Sequence, residues 1–299
     1  MTASYRIRHD THYRHAGTVS VSQHVACLTP RTLPRQTVHA ARVDLAPEPA
    51  DRSQRVDYFG NLVTHLAILK PYTELHVRAE SRVDVTDGSE AIEPDASPAW
   101  ESVRDAGAYR PGMPPAGTEE FRYPSPFVRP AAALADYARS EFTAGRPLLA
   151  AAIALTHRIH ADFTFDADHT SITTPISRVL AERRGVCQDF AHLQIGCLRS
   201  LGLPARYVSG YLLTDPPPGR PRLLGADASH AWLSVWCPAH GWVDLDPTNG
   251  VVPDLRHVTV GWGRDYGDVS PLRGVVLGGG EHELSVAVSV VPEEEAQRP

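Results

Sequence analysis

The four cysteines in these 299 residues, Cys27, Cys187, Cys197 and Cys237, show no CxxC spacing, which argues against a disulfide scaffold and against a zinc knuckle. No apolar run approaches the roughly 20 residues that a membrane-crossing helix needs. The opening "MTASYRIRHDTHYRHAG" lacks both an apolar signal core and a small-residue cleavage site after one. A cytoplasmic location without a membrane partner is therefore expected. There is no excess of positive charge: a net charge of −6 and a pI near 6.2 argue against nucleic acid as a partner, because phosphate binding needs a basic face. Internal repeats and low-complexity blocks are also missing. What remains is 42 % apolar and 21 % charged, the balance of a globular protein, with length for one large domain or two ordinary ones.

The chain divides into three stretches. Residues 1–87 read as β-rich: "YRIRHDTHYRH" and "VHAARVDL" alternate, and "DYFGNLVTHLAIL" reads as two strand ends around a Gly-Asn turn. In "LHVRAESRVDV" the residues Leu75, Val77, Ala79, Ser81, Val83 and Val85 share a face, so a small sandwich or twisted antiparallel sheet is expected. Residues 88–130 are rich in Pro, Gly and Ala and read as a connector pinned by Trp100, Tyr109, Phe121 and Tyr123. From 131 to 299 the pattern turns helical and then β. "AAALADYARSEF" and "PLLAAAIALTHRIHADF" repeat apolar residues at helical spacing, and "TPISRVLAERRG" predicts a short helix stopped by Gly185. A helix beginning at or near Cys187 follows, with Phe190, Leu193, Cys197, Leu198 and Leu201 on one stripe. Then come strands "ARYVSGYLL", "HAWLSVWC", "GWVDLD" and a final "ELSVAVSVV". This order predicts an α+β fold, helices packed on an antiparallel sheet, preceded by a β-rich N-terminal domain.

Cys187 is the chemically suggestive residue. Unsatisfied N–H groups at a helix start stabilise a thiolate and can receive an oxyanion. Cys197, inside the same helix, reads as core. A thiolate needs a base, and His230 lies on the strand face His230, Trp232, Ser234, Trp236. The base needs an orienting acid. "GWVDLDPTNG" offers Asp246 at a strand end, and a hairpin through "CPAHG" would bring position 230 opposite about 248, with Asp246 within reach. Asn249 is a further candidate to orient His230, whereas His192 reads as a packing residue and the other histidines as structural or surface.

A Cys, a His and an Asp alone would be weak evidence among 15 histidines. The context is specific: Gly-x-Cys opening a helix, "LGLPARYVSGY", His-Ala-Trp, then Gly-Trp-x-x-x-Asp-Pro-Thr. From Ile153 to Asn249 this run resembles the transglutaminase-like superfamily of papain-type thiol enzymes. "YRIRHDTHYRH", "DYFGNLVTHLAI" and "GWGRDYGDVSPLRGVVLGGGEHELSVAV" extend the resemblance to a bacterial subgroup with a β-rich N-terminal domain. The resemblance implies Cys187 as nucleophile, His230 as base and Asp246 as orienting acid, with a peptide or protein amide as substrate. It implies acyl transfer through a thioester, resolved by water in a protease or amidase or by an amine in a cross-linking transglutaminase. For a cytoplasmic bacterial protein the hydrolytic outcome is the expectation. A non-catalytic peptide-binding module and a zinc hydrolase are the competing classes. No cofactor or metal is expected: a closed zinc site at Cys187, His230 and Asp246 would want another close Cys or His, and no carboxylate-rich calcium loop is seen. Candidate substrate-binding residues are Asp189, which otherwise points aside to cap a neighbouring strand, Trp232 as a cleft wall, and Arg264 and Tyr266 in the loop "GRDYGDV". The oligomeric state is left open.

Overall fold

The computed structural model describes residues 1–88, 92–107, 117–214 and 229–296. In chain order the strands are β1 (Thr2–Ala26), β2 (Gln36–Ala46), β3 (Asp51–Val56), β4 (Leu62–Ile68) and β5 (Tyr72–Thr86). Helices α1 (Trp100–Ala106), α2 (Ala132–Ala138) and α3 (Leu148–Asp162) follow. Then come β6 (Thr164–Phe165), α4 (Ile176–Glu182), β7 (Arg184–Gly185), α5 (Cys187–Ser200), β8 (Ala205–Leu212), β9 (Ser229–Cys237) and β10 (Gly241–Leu245). The chain closes with β11 (His257–Gly263), α6 (Tyr266–Val269), β12 (Leu272–Gly278), β13 (His282–Pro292) and α7 (Glu293–Ala296). The mixture of helices and antiparallel sheets behind a β-rich N-terminal region is the α+β fold expected.

The first sheet has the order β2-β5-β1-β4-β3, with β12 and β13 also paired to β1. The alternation read in β5 holds: Leu75, Val77, Ala79, Val83 and Val85 are buried. The β3–β4 hairpin turns through residues 57–61, where Asp57 accepts the N–H groups of Phe59 and Asn61. One difference from the sequence reading concerns the last strand. "ELSVAVSVV" belongs to the first sheet, lying antiparallel to the chain's opening residues, and is not part of the second sheet, whose strands precede it in sequence. A residue's position along the chain does not decide which sheet edge is free to receive it.

The second sheet is antiparallel, order β10-β9-β8-β11. On one face Ala231, Leu233, Val235 and Cys237 of β9 pack into the core with α5 and α3. Helix α5 was expected to bury one stripe, yet residues 189–199 are all buried. Its polar residues are therefore partnered. Gln194 bonds Ala152 O and Thr156 Oγ1. Arg199 donates to the carbonyls of Phe121, Tyr123, Ala205 and Arg264 and to Ser125 Oγ. Burial pulls the Arg199 guanidinium down to about 10, so it remains charged at neutral pH.

Arg199 thus helps anchor the connector. Trp100 and Phe121 are buried as expected, Tyr123 is exposed, 55 %, and Tyr109 lies outside the described residues. Exposure removes Tyr123 from the pinning role; only its backbone carbonyl contributes. Helix α4 ends two residues earlier than its glycine suggested, because Arg183 itself takes the left-handed conformation, φ 57°.

The two sheets share one core: Tyr5, Ile7, Val83, Val288 and Val290 of the first cluster with α5 and the second. Their edges are joined by buried amides that imitate strand pairing. Gln36 donates to Thr259 O, 2.7 Å, and accepts from Thr259 N, 2.8 Å. Asn61 does the same at Trp262, 2.8 and 3.0 Å. Two side chains therefore satisfy the backbone of edge strand β11.

Candidate active site

Cys187 is the first residue of α5 and is partly exposed, whereas Cys27, Cys197 and Cys237 are buried. Burial pushes the Cys27 and Cys197 thiols up to about 12, so these two are poor nucleophiles near neutrality. The helix start is held by Asp189. Its Oδ2 accepts from Val186 N at 2.8 Å and from Thr170 Oγ1 at 2.6 Å, the return half of a capping box. Gly185 is needed here for space, since a Cβ would lie 2.7 Å from Asp189 Oδ2. Asp189 is buried and turned to these partners, away from the cleft, which corrects its candidacy for substrate binding.

The β9–β10 hairpin has the expected register. Leu233 pairs with Leu245 and Val235 with Val243, which continues to place position 230 opposite 248. His230 Nε2 lies 2.8 Å from Asp246 Oδ2, leaving Nδ1 as the nitrogen available to Cys187. Asp246 is fully buried and saturated: Oδ1 accepts from Thr248 N and Asn249 N, and Oδ2 also accepts from Asn249 Nδ2 at 2.7 Å. Asn249 therefore orients the acid first and the imidazole second, Nδ2 being 3.4 Å from His230 Nε2. Burial alone would lower His230, but hydrogen bonds to Asp246 and Cys187 outweigh it and push the imidazole up to about 10. Burial would likewise raise Asp246, yet the bonds from His230, His257 and Asn249 hold it well below the usual carboxylate range.

His257 is the residue that the sequence did not single out. It comes from β11, and its Nε2 lies 3.1 Å from the same Asp246 Oδ2. Its Nδ1 faces Asp254 at 3.4 Å. Its only sequence signal is its place at the start of an alternating strand, a place that several other histidines share. Among the described residues, His230, Asp246 and His257 form a group whose ligand atoms lie within 4.8 Å of one another. His257 is thus the further close histidine that the sequence spacing did not reveal. Both imidazoles already share one carboxylate oxygen, so a cation there would displace those hydrogen bonds.

Cys187 and His230 line a cleft of about 260 Å³ together with Tyr266, Tyr207 and, from the first sheet, Thr11 and Tyr13. Of the four candidate substrate-contacting residues, Tyr266 alone lines this cleft. Trp232 is fully buried, 6.0 Å from the His230 ring and 5.3 Å from that of His257, so it is a floor beneath both imidazoles and not a wall. Gly210 makes room for it, since a Cβ there would lie 2.4 Å from the indole. Arg264 turns away into a two-pronged pair with Asp268 and makes "GRDYGDV" an internally bonded turn. His192 has the packing role expected: Nε2 accepts from Tyr266 N at 3.1 Å, and its ring lies 4.9 Å from Tyr207. Burial pulls it down to about 3, which keeps that nitrogen free to accept. The Tyr207 hydroxyl has no hydrogen-bond partner among the described residues, and burial, with Cys187 next in effect, raises its phenol well above the usual value.

Residues 5–84 match the bacterial transglutaminase-like N-terminal region and residues 132–247 the transglutaminase-like superfamily. An uncharacterised Mycobacterium tuberculosis protein is 42 % identical across 97 % of this chain and 93 % of its own length. The chain belongs to the transglutaminase-like superfamily, in the branch that carries the bacterial N-terminal region. The crystal structure of a candidate cysteine protease from Cytophaga hutchinsonii has the same fold, TM-score 0.74 over 98 % of this chain and 91 % of that one at 20 % identity. A Pseudomonas aeruginosa protein-glutamine gamma-glutamyltransferase is 31 % identical over 42 % of this chain and 19 % of its own length. Among the described residues no helix is long and apolar enough to cross a membrane.

Proposed function

We propose that the protein is a thiol-dependent acyl-transfer enzyme acting on amide bonds, and foremost a cysteine peptidase or amidase. One observation carries this reading: Cys187, at the start of a buried helix, shares a cleft with His230, whose far nitrogen is fixed by the buried, fully hydrogen-bonded Asp246. In acylation the Cys187 sulfur bonds to the amide carbonyl carbon, and the carbonyl oxygen takes up the displaced electron pair. The N–H groups at the α5 start stabilise that oxyanion. Tyr207, held protonated and with its hydroxyl unpartnered, is the proposed second donor. Imidazolium 230 then gives its proton to the nitrogen as the C–N bond breaks, leaving a thioester and a free amine. In deacylation His230 takes a proton from water, the hydroxyl oxygen bonds to the acyl carbon, and the sulfur departs.

An amine in place of water would give the transglutaminase outcome, and the P. aeruginosa relative supports that second reading. The test is mass spectrometry of the intact protein after brief exposure to a peptide library. The expected result is an acyl adduct mapped to Cys187 and absent from Cys187→Ala. Adducts elsewhere, or none with any peptide, would overturn the assignment. Adding a primary amine to the trapped species separates hydrolysis from transfer by the mass of the product.

A further inference from the structure

Strands β12 and β13 act as one long strand, interrupted at Gly278–Gly280, that runs antiparallel to β1 from Ala26 back to Tyr5. Among the described residues its outer edge pairs with no other strand. In β13, Leu284, Val286, Val288 and Val290 alternate onto one face, opposite Tyr13, Thr11, His9 and Ile7 of β1. The inner end of this apolar stripe is sealed: Val288 and Val290 belong to the main core. The outer end is not. Leu284 is 51 % and Val286 49 % exposed, and both line the cleft that holds Cys187 and His230. The same stripe that fills the core thus runs out of it beside the nucleophile.

We propose that Leu284 and Val286 form an apolar side-chain subsite for the acyl donor, which lies as an extended segment along the outer edge of residues 272–287. This rests on Cys187 as nucleophile and adds the substrate class: extended peptide with an aliphatic or aromatic side chain beside the attacked amide. The chemistry of an edge strand supports it. In an antiparallel ladder alternate residues direct both N–H and C=O away from the partner strand. Those groups offer an incoming peptide sequence-independent hydrogen bonds, and the side-chain pockets supply selectivity. A hydrophobic contact of this size discriminates by roughly 10- to 200-fold.

The test uses the full-length chain with Cys187→Ala and two acetylated, amidated heptapeptides that share a central glutamine. One is flanked by valine and leucine, the other by aspartate and lysine. Hydrogen exchange should slow at alternate amides of residues 272–288 with the apolar peptide and stay unchanged with the charged one. In the Cys187 protein, Leu284→Asp should raise KM for the apolar peptide at least tenfold, with a wild-type melting curve showing that the variant folds. Val286→Thr, which keeps the side-chain shape, is the second variant. Equal response to both peptides, a KM change under twofold, or protection that depends only on protein concentration, as for edge-to-edge pairing of two copies, would overturn the subsite. Protection by the apolar peptide without any thioester at Cys187 would instead overturn the chemistry and leave the subsite standing.

Discussion

Replacing Asp246 by Asn tests the site because it changes charge while barely changing shape. Each carboxylate oxygen accepts from at least two N–H groups: Oδ1 from Thr248 and Asn249, Oδ2 from His230, His257 and the Asn249 amide. Whichever way the new amide turns, its NH₂ faces donors. The imidazoles lose their buried counter-ion, and His230 relieves a clash with the amide NH₂ only by moving its proton to Nδ1, the nitrogen that must be free to take the proton from water in deacylation. Removing one partner of a buried ion pair costs about 3–5 kcal/mol, and at about 2–4 °C per kcal/mol the melting point should fall roughly 6–20 °C. The pH dependence has a definite sign. His230 is raised from 6.5 to about 10, so its contribution is complete below about 6.5 and disappears as pH rises through about 10. Asp246 is depressed from 3.8, so its contribution is present above about 3.8 and lost as pH falls through the depressed value. Calorimetry of wild type and Asp246→Asn should therefore show the widest gap between about pH 4 and 6.5, closing towards pH 10. A gap of equal size at pH 5 and pH 10.5, or no gap, would refute the buried ion pair. Peptide turnover should fall by roughly 10⁴-fold, the scale seen when a triad acid becomes an amide.

His257→Gln keeps one donor towards Asp246 but removes the second imidazole; kcat should drop by about tenfold with KM nearly constant, and a large KM effect would instead place His257 at the substrate. Tyr207→Phe removes only the hydroxyl; if it stabilises the oxyanion, kcat should fall by roughly 10²-fold with an unchanged melting curve, and activity near wild type would eliminate it as donor. Asp189→Ala removes two hydrogen bonds at the α5 start; about 0.5–2 kcal/mol of stability should be lost in urea titration, and full stability would argue against its capping role. Iodoacetamide at neutral pH should modify Cys187 and spare Cys27 and Cys197, read by peptide mapping; equal labelling would refute the contrast between exposed and buried thiols.

The part of the site legible in the sequence is the part built by local geometry. Cys187 at a helix start follows from a glycine-interrupted segment and a helical apolar repeat. The His230–Asp246 pair follows from a hairpin whose short loop fixes the register of two alternating strands. His257 was not legible, because β11 pairs with β8 and reaches Asp246 from the far side of a sheet whose spatial order differs from its sequence order. Asp189 and Arg264 misled for another reason: a charged residue near a nucleophile looks available until its partners, Val186, Thr170 and Asp268, are seen. Trp232 misled because strand alternation gives a face but not its neighbours: the indole lies over Gly210 and against the His257 ring.

The same distinction separates chemistry from substrate. Residues 187–249 carry Cys187, His230 and Asp246 within one contiguous segment, so a sequence can announce them. The cleft wall opposite them is assembled from the two ends of the chain, β1 and β13, which meet only because the last strand returns to the first sheet. Tyr13, Thr11, Leu284 and Val286 carry no motif, since selectivity for a side chain needs only apolar surface at the right place. A change in the N-terminal sheet should therefore alter which amide is attacked without altering how the attack proceeds. That sheet is part of the cleft, and its amide contacts through Gln36 and Asn61 tie it to β11 of the sheet that carries His230.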